Sequence, residues 1–245
     1  MVLLSLAQST LQQSGFAPSS LAQWFAAVGT IAAVIVALFK DPIIAWRRAP
    51  RLAVTCTKET PWTVKTPIIA QGPLPGQGLV TWSGQGYYVR IKVENTGRSR
   101  AEKVQVSAQK LARRGADNQF VDIPTILPLN LKWANLGVAI LDGISPKMSS
   151  FCDVIALCDP DNPVQRRPNG ALPTVTIGQI QLEVDPFTDG HLLAPGTYRL
   201  SLRIAAGNVE PIDRIVEFVH TGTWTQDDVL MRRDNLGVSL ASGQV

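Results

Sequence analysis

Two rhythms of hydrophobic and polar residues divide this chain. From Leu21 to Phe39, nineteen residues run with only Gln23 and Thr30 appreciably polar. A surface helix of a folded domain keeps a polar stripe, whereas this run is apolar around its whole circumference. At 1.5 Å per residue it would extend about 28 Å, close to the hydrocarbon thickness of a bilayer. It predicts a transmembrane helix over residues 20–40, behind an uncharged tail of residues 1–19.

After residue 52 the period shortens to two. "GYYVRIKVEN" (86–95) places Tyr87, Val89, Ile91 and Val93 on one face and Tyr88, Arg90, Lys92 and Glu94 on the other, as a half-buried strand requires. Asn95-Thr96-Gly97 brings turn chemistry, and "AEKVQVSAQ" (101–109) resumes with Val104, Val106 and Ala108 inward. Pro195-Gly196 precedes "TYRLSLRIA" (197–205), with Tyr198, Leu200, Leu202 and Ile204 on one face; "RIVEFVH" (214–220) follows a Gly-Asn turn. "LAVTCT" (52–57), "QFVDI" (119–123), "SFCDVIALC" (150–158) and "TVTIGQIQLEV" (174–184) predict further strands. Roughly eight strands separated by Gly, Pro, Asn and Asp make an antiparallel β-sandwich over residues 52–245. Residues 134–142 and 226–234 suggest a turn or two of helix, and no fixed period suggests a solenoid or propeller. "PIIAQGPLPGQGLVTWSGQG" (67–86) reads as a long mobile loop.

The flanks sharpen the first element. Ser19 or Ser20 can cap the helix after Pro18. Trp24 and Trp46 stand near its two ends, where amphipathic rings suit membrane interfaces. A cleaved signal peptide would show a basic start, a shorter apolar core and a small-residue cleavage site; here Lys40, Asp41 and Pro42 follow the apolar run. Residues 41–51 form a basic juxtamembrane segment. Asp41 as cap and Pro42 as first residue would begin a short interfacial helix, and equally residues 42–48 can continue the span with snorkelling arginines. On either geometry Trp24, Lys40, Trp46, Arg47, Arg48 and Arg51 are the candidate membrane-interface residues.

Charge matters through its placement. Residues 1–39 hold no Asp, Glu, Lys or Arg; Lys40, Arg47, Arg48 and Arg51 against Asp41 then supply +3 of the net +4. The basic balance is a juxtamembrane feature rather than a nucleic-acid-binding surface. All four cations follow the span, which orients the N-terminus outside and the β domain in the cytoplasm of a single-pass inner (plasma) membrane protein. Cys56, Cys152 and Cys158 are too few to staple a domain, and no N-x-S/T sequon occurs, both in keeping with a reducing compartment. A Cys152–Cys158 bridge stays open for a domain that faces outward.

Candidate chemistry is sparse. His191 and His220 are the only histidines, and the cysteines do not make a zinc set. "CDPDNP" (158–163) lacks the ligand spacing of a calcium loop and reads as Asx-turn chemistry at a strand end. The Gly-Gln-Gly units of 76–86 precede a strand, not the helix N-terminus that a phosphate cradle needs. No nucleophile elbow or H-E-x-x-H pair is present. Of Trp62, Trp82, Trp133 and Trp224, most belong to the core or to hydrogen-bonded edges; Trp82, within the Gly-rich stretch, is the candidate contact residue.

Val93-x-Asn95-x-Gly97-x-x-x-Ala101-x-x-Val104-x-Val106 resembles a hairpin of CARDB-like and other bacterial immunoglobulin-like domains. Pro195-Gly196-Thr197-Tyr198 is similar to the P-G-x-Y lead-in to a penultimate strand in such sandwiches. The plan of an uncharged start, one span and a W-R-R-x-P-x-L exit (Trp46 to Leu52) resembles uncharacterised bacterial single-pass proteins. The resemblance covers two short motifs and implies a fold without an activity.

The expectation is a membrane-anchored, non-catalytic module that binds a protein partner or small ligand besides the bilayer, with no cofactor and no nucleic acid. The alternative is a tethered effector or enzyme whose site gathers scattered polar residues. Ala22, Ala26, Gly29, Ala33 and Ala37 line one side of the span and predict a homo-dimer through it, although Ala27 and Ala32 put small residues on other faces too. The full chain should stay with membranes through carbonate and high-salt washing, while a chain beginning near Arg51 should be soluble. Release of the intact chain by salt alone would contradict the span.

Overall fold

A computed structural model describes residues 20–74, 78–124, 127–160, 175–184, 186 and 189–241, with the backbone alone for 20–22, 41–43, 45–47, 69–74, 78–80 and 82. The apolar run forms α1 (Ser20–Arg48), a single helix that passes through Pro42 without a break. Of the two geometries open for residues 42–48, the continuous helix holds. None of the residues in its Gln23–Lys40 stretch is buried, so it is not a core helix, and it is long and apolar enough to cross a bilayer. Pro50 stops any further helix. Ser19, one of the two candidate caps, lies outside the described residues.

The rest of the chain is a unit of its own, from Arg48 onward. Its strands are β1 (Leu52–Thr55), β2 (Thr63–Leu74), β3 (Gly78–Asn95), β4 (Ala101–Arg114), β5 (Phe120–Ile123), β6 (Leu129–Asn130) and β7 (Ile140–Ile144). They continue with β8 (Ser149–Cys158), β9 (Gly178–Ile180), β10 (Leu192–Leu193), β11 (Gly196–Ala206), β12 (Val209–His220) and β13 (Leu236–Leu240). Two antiparallel sheets form a sandwich: β1-β3-β8-β9-β10 with β2 also on β3, and β13-β12-β11-β4-β5 with β6 and β7 also on β4. The alternation read from the sequence is what fills the space between them. Tyr87, Val89, Ile91 and Val93 meet Val104, Val106, Ala108, Leu200, Leu202, Ile204, Val216 and Phe218, nearly all with no exposed surface.

Several expectations need correction. The motif from Val93 to Val106 is not a hairpin: β3 belongs to the first sheet and β4 to the second, so the chain changes layer at Asn95. The two-residue gap between Ala101 and Val104 has a local cause, because Lys103 adopts a left-handed φ of 50° and both Glu102 and Lys103 turn outward. The 67–86 stretch is not a loop. β2 and β3 pair continuously from Thr63↔Val89 to Leu74↔Gly78, and β8 pairs with β3 only as far as Gly86, so a two-stranded ribbon projects past the sheet. Prolines disguised it, since a central strand excludes them but an edge strand such as β2 tolerates Pro67 and Pro73. The 174–184 strand shrinks to β9, and β11 is followed by two strands, not one. The Gly207-Asn208 turn joins β11 to β12 at Ala206↔Val209, and the 226–234 region does hold helical turns, α2 (Asp228–Leu230) and a π-helical turn at Met231–Asn235. Asp227 caps α2, accepting from Val229 N and Leu230 N.

Cys152 and Cys158 sit six positions apart on one strand, about 20 Å by strand rise, against a limit near 7 Å for bridged Cα atoms. The bridge left open by the sequence is therefore excluded; all three cysteines are free and buried.

Asn95 shows why the chain can turn between layers. With no exposed surface, its amide nitrogen donates to Ser99 O (2.7 Å) and Ile144 O (2.9 Å), and its amide oxygen accepts from Arg51 N (3.2 Å) and Gly97 N (3.0 Å). Its own N–H donates to Met148 O and its carbonyl accepts from Lys147 N. Gly97 is required by close approach: a Cβ there would run into Arg51 N, Ala49 O and Pro50 Cα. Asn95→Ala would remove the partner of four backbone groups on three segments (Arg51 N, Gly97 N and Ser99 O in the turn, and Ile144 O) and should destabilise the domain by about 3 kcal/mol or more, given roughly 1–3 kcal/mol for each buried polar group left unpaired. Urea melting of the variant against the wild type checks this; a shift below about 1 kcal/mol would contradict the role.

Candidate binding surface

Cross-strand register gathers charges on the outer face of the second sheet that are far apart in sequence. Arg199↔Glu217 and Tyr198↔Arg113 are register pairs, and Arg114 pairs with Phe120 on the edge strand. Glu217 accepts from Arg199 Nε at 2.9 Å and from Arg114 Nη2 at 3.1 Å. The Phe120 ring lies under both guanidinium groups, 3.9 Å from Arg199 and 5.0 Å from Arg114. One carboxylate thus serves two guanidinium groups, leaving one positive charge over.

Beside this cluster runs a groove of about 430 Å³ bordered by Lys58, Arg114, Thr197, Glu217 and Ser239. Gly237 keeps its floor low, because a Cβ there would press on Val219 Cγ1 at 2.6 Å. A hollow of about 450 Å³ on the far side of Arg114 is lined by Arg113, Val121 and Asp122, and one of about 230 Å³ by Lys58, Glu59, Arg232 and Arg233. Across the three, five cationic side chains face three carboxylates. The strip can hold an anionic group. Glu217 is already committed to two guanidinium groups and is poorly placed as a base.

A second polar group sits inside. His220, 1% exposed, ends β12 and stacks on Tyr198 at 6.3 Å, facing Gly178 across the sandwich; a Cβ on Gly178 would lie 3.4 Å from His220 Nε2. Neither ring nitrogen has a hydrogen-bond partner, nor do buried Thr176 Oγ1 and Trp224 Nε1. Burial holds the imidazole below its ordinary pKa; the Leu193 and Ala194 carbonyls pull upward without making a hydrogen bond to it, and Arg113 adds to the lowering. Nearby, Tyr87 donates to Asp228 Oδ1 at 2.6 Å, and burial foremost, then that carboxylate, raise its hydroxyl above the usual tyrosine range. Lys65 stands 3.6 Å from the same oxygen.

Of the residues singled out from the sequence, Trp24 and Lys40 are exposed on α1, as are Arg48 at its end and Arg51 beyond it. Trp46 and Arg47 lie on the same helix, with side chains outside the described residues. Trp82 pairs through its backbone with Ala70 on the ribbon, and its side chain is also outside them. Trp133 is core, donating to Ala139 O at 3.1 Å, while Trp62 packs edge-on against Phe151. His191 is buried in a short 3-10 turn. Asp159, at the end of β8, accepts from Gln226; residues 161–163 of the "CDPDNP" stretch lie outside the described residues. Among the described residues no group of three or more His, Cys, Asp or Glu could hold a metal ion. The Arg114–Phe120–Arg199–Glu217 cluster has no motif in the sequence. Its signal, opposite charges at alternate positions of two strands, becomes legible only when register is known.

The architecture defines a class, an antiparallel sandwich preceded by one apolar helix. No family model matches the chain, and no curated protein or solved structure is significantly similar to it.

The buried histidine gives a pH dependence. Its folded-state pKa is lowered, so the unfolded chain takes up the proton first; stability is full above the ordinary histidine pKa near 6.5 and is lost as pH falls below it. Urea midpoints should therefore drop more steeply between pH 7 and pH 5 for the wild type than for His220→Gln. Parallel profiles would show that His220 is not the group responsible.

Proposed function

We propose that this protein is a single-pass membrane-anchored binding module, not an enzyme, with an immunoglobulin-like sandwich held on the cytoplasmic side. The observation that carries the reading is the cationic strip around Arg114 and Lys58, an open surface suited to contact with an anionic partner. The exposed apolar helix supports the anchor: Trp24, Phe25, Val28, Ile31, Val34, Ile35, Val36, Leu38 and Phe39 all lack cover from the chain, an arrangement water would penalise. Cations that follow and never precede the span support the orientation. Tyr198 Oη donates to Ala194 O at 2.7 Å, four residues upstream, and a tyrosine hydroxyl bonding back to the preceding backbone, as in a tyrosine corner, supports the immunoglobulin-like reading.

The native cysteines are unsuited to reporting orientation, since Cys56 is buried and its thiol pushed up to about 12 by desolvation. Introduced cysteines serve better. An impermeant thiol reagent applied to intact cells should label Ser5→Cys and leave the exposed Glu210→Cys unlabelled until the membrane is opened. Proteins co-purifying with the wild type from native membranes should be lost from Arg114→Glu. Labelling of Glu210→Cys in intact cells overturns the orientation, and retention of every partner by Arg114→Glu overturns the surface.

A further inference from the structure

The sandwich treats two of its edge strands, β2 and β13, differently. In β2, Arg90 N donates to Trp62 O at 2.7 Å, so alternate residues from Trp62 turn their main-chain groups toward β3. Pro67 and Pro73 fall on the other alternation, facing outward, where the missing N–H blunts the edge. In β13, Thr221 N donates to Asn235 O at 3.1 Å and Ala241 N donates to Ile215 O at 2.9 Å, which turns Asn235, Gly237, Ser239 and Ala241 toward β12. The amides and carbonyls of Val238 and Leu240 therefore point away from the sheet. No proline or charged residue interrupts Leu236–Leu240.

Among the described residues no strand pairs with this edge, which lies along the groove that Lys58 and Arg114 border. Lys58 makes no hydrogen bond or salt bridge among the described residues, and Arg232, lining the adjoining hollow with it, bonds only the Thr60 hydroxyl at 3.2 Å. Of the nearby carboxylates, Glu217 is held by two guanidinium groups and Asp234 by Arg233 through both oxygens, while Glu59 lines the hollow beside Lys58; Lys58, Arg114, Arg232 and Arg233 thus outnumber these three carboxylates by one. The uncompensated charge along the edge is positive.

We propose that β13 accepts an extended acidic segment of a partner protein as an added antiparallel or parallel strand. Its backbone pairs with Val238 and Leu240, and the carboxylates on its groove-facing side meet Lys58 and Arg114. Main-chain hydrogen bonds supply affinity in such strand addition, and alternate side chains supply selectivity. A second copy of this chain is disfavoured as occupant, because it would bring Lys58 and Arg232 against their own counterparts. The inference rests on the binding-module reading and specifies its ligand.

The test uses the full chain in detergent and a synthetic peptide of about eight alternating Glu and Val residues, long enough to cover a five-residue edge. The peptide should bind, its Lys/Val counterpart should not, and rising salt should weaken binding. Val238→Pro removes an outward amide without touching the ladder to β12, and Lys58→Glu reverses the free charge; each should weaken binding about tenfold or more. A peptide N-methylated at alternate residues should also fail, which tests strand pairing without any change to the protein. Binding indifferent to both Val238→Pro and N-methylation overturns strand addition while leaving a binding surface intact. Equal binding of the Lys/Val peptide overturns the acidic ligand, and a wild-type dimer that Val238→Pro converts to monomer overturns the partner in favour of self-pairing. No binding of any peptide, with co-purifying partners still lost from Arg114→Glu, overturns this inference alone.

Discussion

A fully buried side-chain amide at the crossing between two sheets is the constraint on which this domain depends. A chain that leaves one layer for the other must abandon its strand ladder, and the freed N–H and C=O groups cannot be left dry. Asn95 answers with every donor and acceptor it owns, reaching the start of β1, its own turn, the end of β7 and the loop before β8. No apolar residue could do this, and Asp at the same place would offer no donor to Ser99 and Ile144. Gly97 complements it by letting the backbone of Ala49–Arg51 come against the turn. The segment following α1 is thereby built into the domain's hydrogen bonding, with Pro50 buried beneath it.

The second crossing is made without such a hub. β6 pairs with β4, and the next residues move across: Leu131 N donates to Val106 O in the second sheet, while Lys132 O accepts from Asp153 N and Ala134 N donates to Phe151 O in the first. Trp133, 1% exposed, fills the corner and satisfies its indole N–H on Ala139 O. One flank of the sandwich is closed by this segment. β13 ends the second sheet on the side away from this segment, and Lys58 and Arg114 border the groove beside it. Edge protection by Pro67 and Pro73 and edge availability at β13 are two outcomes of the same alternation of main-chain direction along a strand.

Charge on the outer faces is mostly spent locally. Arg203 and Asp213 pair through two hydrogen bonds, and Lys110 reaches Asp122 at 2.9 Å; such exposed pairs contribute little to stability. Arg90 and Asp153, each 13% exposed at the side chain, differ. Burial raises the Asp153 carboxyl while the Arg90 hydrogen bond and charge lower it, and removing either partner would leave a charge with little water around it.

What the sequence determined by itself was whatever depends on local periodicity. The apolar circumference of Leu21–Phe39 required a helix without cover, and the period of two in 86–95, 101–109, 197–205 and 214–220 required strands with one buried face, because side-chain direction follows from backbone geometry alone. Tyr87, Val89, Val104, Leu200 and Val216 are core residues for that reason. Partnership was decided only in three dimensions. Whether β3 and β4 form a hairpin or a crossing depends on where Asn95 finds its partners, as much as 49 residues away at Ile144. The ribbon at 63–86 became visible only as an edge, where proline is tolerated. Arg114, Phe120, Arg199 and Glu217 form a cluster only because register sets them side by side, and a free edge has no signature in the strand that owns it, since it is defined by the neighbour that is absent.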